Sequence, residues 1–306
     1  MKTETKVLLT LGLLALVAEL GARSLGDRLS KDVAHLNHLS ELSTQLRPIG
    51  PAQVLILGNS LSRQAFDRQV LERGWQLPDG TPAKTAALHP DASSIVEWSQ
   101  AFRRYVQLPR CRPQVVLIGT GRTHLLDPSP GDLEIDRLGA WLVSPSERWS
   151  FTQNEDLILE QRLPFLLASQ SQLFANRGRI QPLTFYNGVP GYEATVRAIS
   201  ERRSSTLGAE GLTPAAGPHS AQPPLRHLQR LLDDVRASGA TPVIVALPVP
   251  EPYTLPPAVT RLLAQQKVRL IDFGSAHTLP AGLFPDGYHL NAEGGRAFTE
   301  QLLPHL

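Results

Sequence analysis

Cysteine is nearly absent from this 306-residue chain, in which Cys111 is the only one. A single thiol cannot form an internal disulfide, and it cannot supply a metal site built from several cysteines. The sequence also lacks a glycine-rich loop of the form that binds phosphate. Several histidines show no metal-ligand spacing with carboxylates: His35, His38, His219, His227, His277 and His305. We therefore predict no metal and no cofactor.

A surplus of one kind of charge is also missing. The 30 basic and 28 acidic residues leave a formal net charge of +2, and the basic residues are scattered rather than gathered in runs. Aromatic residues make up 6% of the chain and are not interleaved with the basic ones. This pattern argues against a nucleic-acid partner. With 42% hydrophobic residues, the composition predicts one large α/β domain or two small ones.

One long apolar run lies near the N-terminus, where residues 7–18 carry no charge and follow Lys2 and Lys6. The run is short for a membrane-spanning helix, which needs about 17–25 residues, and it has the length of a signal-peptide core, about 7–15 residues. No small-x-small cleavage site follows it. We therefore favour an uncleaved signal anchor at residues 1–24, with the rest of the chain in the periplasm or outside the cell. A cleaved signal peptide, giving a secreted protein, and a buried N-terminal helix are the alternatives.

The next region predicts a helix and then a domain boundary. Leucines recur at positions 25, 29, 36, 39, 42 and 46, and Pro48, Gly50 and Pro51 follow. Because proline and glycine break helices, we expect a helical stalk or linker at residues 25–50. The folded domain is expected at residues 51–306.

The domain alternates short apolar strands with amphipathic helices. This alternation predicts an α/β fold, a three-layer α/β/α arrangement of flavodoxin-like type with a mainly parallel sheet. The predicted strands are residues 53–57, 83–88, 115–119, 241–247 and 268–272. The predicted helices are one that ends near Gly74 and those at residues 93–106, 225–238, 258–266 and 292–303.

Residues 128–224 do not follow this alternation, and we expect an insertion or a lid there. A leucine-rich helix is predicted at residues 154–175 and a second helix at 192–203. Residues 204–224 are rich in glycine, serine, alanine and proline, which predicts a loop. No chemistry is assigned to this region.

Two short motifs at opposite ends of the domain carry complementary chemistry. Gly58-Asn59-Ser60 places a serine hydroxyl at the carboxyl end of the first strand, the edge where sites form in open parallel sheets. Asp286 and His289 lie just before the last helix. A serine needs a base to become a nucleophile, and a histidine base needs an acid to orient it. Alone, the first motif is also compatible with a turn, and the second with a helix cap or half of a metal site.

Together the motifs resemble those of the SGNH/GDSL hydrolase superfamily, in particular its membrane-anchored bacterial branch. Gly58-Asn59-Ser60 is similar to the family's Gly-Asp-Ser block, with Asn59 in place of aspartate. Asp286-x-x-His289, followed by Leu-Asn, is similar to its C-terminal block. The resemblance in strand order covers residues 52–125 and 240–303.

The resemblance implies a serine esterase or O-acyltransferase that forms an acyl-enzyme and needs no cofactor. Ser60 would be the nucleophile, His289 the base and Asp286 the orienting acid. The implied substrate is an acylated carbohydrate, such as cell-envelope or exported polysaccharide, or a small ester. Some family members that carry an N-terminal membrane helix act beside a membrane-bound O-acyltransferase. The resemblance therefore also implies such an enzyme as a partner.

The blocks that should complete the oxyanion hole are altered. Beside the serine N–H, the family uses a glycine N–H and an asparagine side chain, and here Asp91 and Gly121 stand at those positions. The candidate oxyanion residues are therefore Ser60, Asp91, Gly121 and Thr123, with Arg122 as another replacement donor. Loss of one oxyanion donor typically costs about 10²–10³ in turnover. The second hypothesis is thus a weak or inactive relative that binds glycan or assists a membrane O-acyltransferase.

Three residues are candidates for substrate binding. Arg63 lies one turn after Ser60 and would reach an anionic substrate group, with a surface ion pair as the alternative. Asn59 and Arg122 are the other two candidates. For His124 we expect a structural role.

Overall fold

The computed structural model describes residues 3–47, 52–180, 191, 225–276 and 279–306. It has the predicted α/β fold, with five parallel strands in the order β2-β1-β3-β4-β5 and helices on both faces. The strands are β1 Val54–Leu57, β2 Thr85–Leu88, β3 Val115–Thr120, β4 Thr241–Ala246 and β5 Arg269–Asp272. Each predicted strand is present, with one end as predicted and the other end displaced by one or two residues. This order is flavodoxin-like and changes direction between β1 and β3.

Helices lie on both faces of the sheet, and others precede its first strand at the N-terminus. They are α1 Thr3–Leu25, α2 Lys31–Asn37, α3 Ser40–Gln45, α4 Ser60–Ala65, α5 Arg68–Gly74, α6 Ile95–Phe102, α7 Ile135–Arg137, α8 Arg148–Asn154, α9 Leu159–Ala168, α10 Gln172–Ala175, α11 Arg226–Ala237, α12 Pro257–Gln265 and α13 Ala292–Leu302. Wider π-helical turns continue α6 at Arg103–Gln107 and α7 at Leu138–Leu142. Short 3₁₀ turns lie at Gly26–Arg28, Pro130–Asp132, Pro145–Glu147, Ala281–Leu283 and Leu303–His305.

Alternate residues of β1, an inner strand of the sheet, enter two separate apolar cores. Leu55 and Leu57 belong to the larger core, which α2, α3, α6 and α11 cover, whereas Val54 and Ile56 belong to the smaller core under α4, α5 and α13. All four side chains are fully buried. Because successive side chains of a strand point to opposite faces, a continuously apolar strand is what a sheet covered on both faces requires.

The stalk expected at residues 25–50 is helical, but its described part is not a separate linker. The residues of α2 and α3 and the turns beside them pack into the larger core through Val33, Leu36, Leu39, Leu42 and Leu46. Each of these side chains is buried. Helical spacing of leucines predicts an apolar face, and here the domain itself covers that face.

The predicted helix at residues 154–175 is wrong as a single element. It is divided among α8, α9 and α10. Asp156 adopts a left-handed backbone, with φ at 49°, and interrupts the helix after α8. Ser171 starts α10 by accepting a hydrogen bond from the N–H of Phe174. The helix predicted at 192–203 and the loop at 204–224 lie outside the described residues.

Helix α1 is longer than the apolar run that predicts it. It spans 23 residues, or about 35 Å at 1.5 Å per residue, and its most apolar window has a mean hydropathy of 1.7 with 6% of that window buried. It is long and apolar enough to be a membrane anchor or a signal sequence. Its exposure disagrees with the alternative of a buried N-terminal helix.

The last helix approaches α4 closely at Gly295. A Cβ atom at this position would lie 2.3 Å from the carbonyl oxygen of Gln64, which is a backbone atom. Thr299, one turn later, accepts a hydrogen bond from the N–H of Asp67. These contacts hold the C-terminal helix against the helix that begins at Ser60.

Substitution of Gly295 tests this close approach. Gly295→Ala improves intrinsic helix propensity, but the added methyl group must displace the Gln64 carbonyl, so we expect a loss of about 1–3 kcal/mol in the free energy of unfolding. Gly282→Ala is the control, because a Cβ there meets nothing within 4 Å and should change stability by less than about 0.5 kcal/mol. Urea denaturation measures both. A Gly295→Ala variant as stable as the wild type would contradict the packing.

Candidate active site

Ser60 lies where the chain turns from β1 into α4. Asn59 caps this helix, with its side-chain oxygen accepting a hydrogen bond from the N–H of Leu61 at 3.0 Å. Gly58 leaves room for the turn, because a Cβ there would lie 1.9 Å from the hydroxyl of Ser62. Ser60 is thus the first residue of α4, at the carboxyl edge of the sheet and at the point between β1 and β3 where strand order reverses.

Asp286 and His289 are held together by a local turn. One carboxylate oxygen of Asp286 accepts hydrogen bonds from the N–H groups of Tyr288 and His289, at 2.9 and 2.7 Å. Gly287 between them has φ at 74°, a left-handed conformation that glycine adopts without strain. This Asx turn explains locally why an Asp-Gly-x-His sequence presents both side chains on the same side.

The three side chains form one hydrogen-bonded chain. Nε2 of His289 lies 3.0 Å from Oγ of Ser60, and its Nδ1 lies 2.7 Å from the second oxygen of Asp286. A carboxylate only accepts hydrogen bonds, so Nδ1 carries the proton and Nε2 is free to accept the serine proton. The hydrogen bonds from the backbone N–H and ring of His289, and from Tyr288, lower the pKa of Asp286 to about 2.

An open pocket of about 450 Å³ contains this chain of residues. Its walls include Ser60, Arg63 and Gln64 on one side and Asp286, His289 and Asn291 on the other. The Asp286 side chain is 55% exposed and that of His289 30% exposed. A larger cavity of about 660 Å³ lies against the starts of β3 and β4, and none of the three residues lines it. The three hydrogen-bonded side chains therefore lie in the smaller of these two pockets.

The three candidates for substrate binding lie in different environments. Arg63 lines the pocket, but its guanidinium forms an ion pair with Asp91 at 2.6 Å, so its charge is already opposed. Asn59 is 2% exposed, and it donates to the carbonyl of Ser93 in addition to capping α4. Its role is structural. Arg122 is exposed and is not part of the pocket wall.

The backbone N–H groups at the two altered positions, Asp91 and Gly121, are already bonded within the fold. The N–H of Asp91 donates to a carboxylate oxygen of Asp32 at 2.7 Å, and the N–H of Gly121 donates to Nδ1 of His124 at 3.1 Å. Thr123 is exposed and outside the pocket wall. Of the expected backbone donors, the N–H of Ser60 is the one at the first position of a helix, where no intrahelical acceptor exists.

His124 occupies the space in which the resemblance implies an asparagine side chain at position 121. A Cβ atom at Gly121 would lie 2.8 Å from Nδ1 of His124, so the imidazole fills the space that a side chain at 121 would need. Burial lowers the pKa of His124 and keeps its ring neutral. Substituting asparagine at 121 would therefore require His124 to move.

Sequence reasoning missed the residues that hold the loop after β2. Asp32 accepts from the N–H of Asp91, and Nε2 of His35 accepts from the N–H of His89 at 3.1 Å. The rings of His35 and His89 stack with centroids 5.0 Å apart. Nothing in the local sequence links α2 to this loop. Gln64, in contrast, is one helical turn after Ser60, and the i, i+4 rule would have found it.

No protein-family model matches this chain, and no curated protein matches it. Among the described residues, no group of three or more histidine, cysteine and acidic side chains is arranged to hold a metal ion. The functional proposal therefore rests on the hydrogen-bonded site itself.

The stacked histidines predict a pH dependence of stability. Burial, with the nearby positive groups, lowers the pKa of His89 from 6.5 to about 3. The unfolded chain then binds more protons than the folded chain between these values, so stability falls as the pH falls from 6.5 towards 3. Each pH unit in this window costs up to about 1.4 kcal/mol for this one group.

The His89→Phe variant keeps an aromatic ring against His35 but cannot titrate. We expect the free energy of unfolding of the wild type, measured by urea denaturation across this window, to fall more steeply than that of His89→Phe. Parallel pH profiles for the two proteins would contradict a buried neutral histidine at position 89.

Proposed function

We propose that this chain is a serine esterase or O-acyltransferase of the SGNH/GDSL type. The observation that carries the proposal is the continuous hydrogen-bonded chain from Ser60 Oγ through the ring of His289 to Asp286. The flavodoxin-like strand order and the position of the serine at the β1–β3 switch point support it. The arrangement contains the nucleophile, base and orienting acid of a catalytic triad.

The proposed reaction has two acyl-transfer steps. Oγ of Ser60 attacks the ester carbonyl carbon while its proton passes to Nε2 of His289, which then donates that proton to the departing alcohol oxygen. Water or an acceptor hydroxyl next gives its proton to His289 and attacks the acyl-enzyme, and the proton returns to Ser60. Asp286, with its low pKa, remains a carboxylate and stabilises the imidazolium in both steps.

The pocket supports a hydroxyl-rich substrate. Its wall offers the amides of Gln64 and Asn291 and the ion pair of Arg63 with Asp91, which are groups that bond sugar hydroxyls. The exposed triad fits a bulky acylated carbohydrate better than a ligand that must be enclosed. Together with the apolar helix α1, this supports a membrane-anchored enzyme whose catalytic domain is periplasmic or extracellular and acts on envelope or exported polysaccharide.

One observation favours a second candidate, a glycan-binding or accessory protein of a membrane O-acyltransferase. The N–H groups of Asp91 and Gly121 are bonded within the fold, and the carboxylate of Asp91 lies beside the pocket where negative charge would develop. This oxyanion environment is poorer than the resemblance implies. A protein of this kind would bind carbohydrate in the same pocket without turnover.

A fluorophosphonate probe separates the two candidates. We expect the purified full chain to be labelled covalently, and Ser60→Ala to abolish labelling because the nucleophilic oxygen is lost. Ser62→Ala is the matched control from the same helix, since its buried hydroxyl donates to the carbonyl of Gly119 and Ser62 is not part of the pocket wall. Mass spectrometry of the labelled peptide measures the site. Folded protein that stays unlabelled would contradict the acyl-enzyme mechanism.

The acid of the triad is tested by Asp286→Asn. Replacing the carboxylate favours the wrong imidazole tautomer, so we expect the labelling rate to fall by about 10²–10⁴-fold. Asp79→Asn is the control, because Asp79 is also an exposed aspartate that accepts from a backbone N–H two residues on, but it lies outside the pocket wall. Equal labelling rates for the wild type and Asp286→Asn would rule out this role.

A further inference from the structure

Helix α9 carries apolar side chains on both of its faces. Phe165 and Ala168 are buried in the larger core, whereas Leu159 and Leu163 on the other side are 74% and 56% exposed. Leu166 and Leu167 continue the exposed set at 38% and 42%. The four leucines follow the i, i+4, i+7, i+8 spacing of a single helical stripe.

Exposed large apolar side chains are concentrated at this place. Among the described residues after α1, the exposed ones are Leu108, Trp149, Ile158, Leu159, Leu163, Leu166, Leu167 and Tyr288. All but the first and the last lie between positions 149 and 167. A contiguous apolar patch on an otherwise polar surface marks an interaction site.

Helix α1 is hydrogen-bonded to the start of α10. The carboxylate of Glu19 accepts hydrogen bonds from the hydroxyl of Ser171 and from the N–H groups of Gln172 and Leu173, at 2.8, 3.0 and 3.0 Å. These groups form the start of α10, which directly follows α9. The leucine stripe therefore ends beside Glu19.

The length of α1 indicates where the junction between α1 and α10 lies relative to a membrane that α1 crosses. From Lys6 to Arg23 the helix rises about 26 Å, close to the hydrocarbon thickness of a bilayer, about 30 Å, and the long side chains of Lys6 and Arg23 extend towards the headgroups on either side. Glu19 and Arg23 form an ion pair at 2.7 Å and lie at the end of that length, where a spanning helix reaches the polar headgroups. The junction with α10 is therefore at the membrane surface if α1 spans it.

We propose that the leucine stripe of α9 lies in the headgroup region of the bilayer that α1 crosses. This proposal rests on the membrane placement of α1 in the proposed function. A helix at the interface buries its exposed apolar side chains roughly 5–10 Å deep. With Glu19 fastening α1 to α10, it gives the globular body two membrane contacts and one orientation relative to the bilayer.

The chain suits a site-specific fluorescence test, because the native Cys111 is buried. The full-length Leu163→Cys variant is labelled with an environment-sensitive fluorophore and reconstituted into phosphatidylcholine nanodiscs, with or without brominated acyl chains. Two control variants carry the same label. Leu108→Cys is at a position that precedes β3 and is 47% exposed, and Leu13→Cys is within α1. Glu160→Cys, on the flank of the stripe, controls for the helix itself.

We expect bromine to quench the label at position 163 about twofold more than the label at 108, since an interfacial face contacts acyl chains. The label at 160 should be quenched less than that at 163. Equal quenching at 163 and 108, with strong quenching at 13, would overturn the docking of α9 and leave the anchor standing. Absence of quenching at 13 would overturn the membrane placement of α1 and the docking with it. A blue-shifted but unquenched label at 163 means that protein covers the stripe, and it also overturns the proposal.

Discussion

The packing of α13 against α4 is the contact on which the candidate site depends. Ser60 begins α4, and the turn that holds Asp286 and His289 directly precedes α13, so the two helices must meet for the side chains to meet. Gly295 permits this approach because its missing side chain leaves room for the Gln64 carbonyl. The hydroxyl of Thr299 lies 3.0 Å from the carbonyl oxygen of Ala65 and ties the same two elements together. A site made from both ends of a domain needs such a rigid junction.

The segment after α1 connects the apolar helix to the site. Asp32 bonds the backbone of Asp91, and it also pairs with Arg179 at 3.1 Å beyond α10. Asp91 in turn pairs with Arg63 in the pocket wall. One buried carboxylate therefore links α2, the end of the α9–α10 region and the loop after β2. Burying a charge is costly unless partners surround it, and Asp32 has partners from both sides.

The altered oxyanion blocks have a physical explanation in these contacts. The N–H of Asp91 bonds a neighbouring acidic side chain, and the imidazole of His124 takes the space and the hydrogen bond at Gly121. The residues at positions 91 and 121 fit their surroundings, because the backbone N–H of each has a hydrogen-bond acceptor, as buried polar groups require. The N–H of Ser60, in contrast, is at the first position of α4, where no intrahelical acceptor exists.

The strands and the two motifs were predictable from the sequence because their signals are local. A continuously apolar run predicts a doubly covered strand, and Asp-Gly-x-His forms its own turn through hydrogen bonds that span three residues. The division of residues 154–175 into α8, α9 and α10 was not predictable, since the start of α10 is stabilised by the distant carboxylate of Glu19 in α1, which accepts a hydrogen bond from the N–H of Gln172. Likewise, only the folded chain brings Asp32 to Asp91. Helical periodicity predicts an apolar face but not its partner, and the tertiary structure decides whether that face enters the core, as in α2, or stays exposed, as along α9.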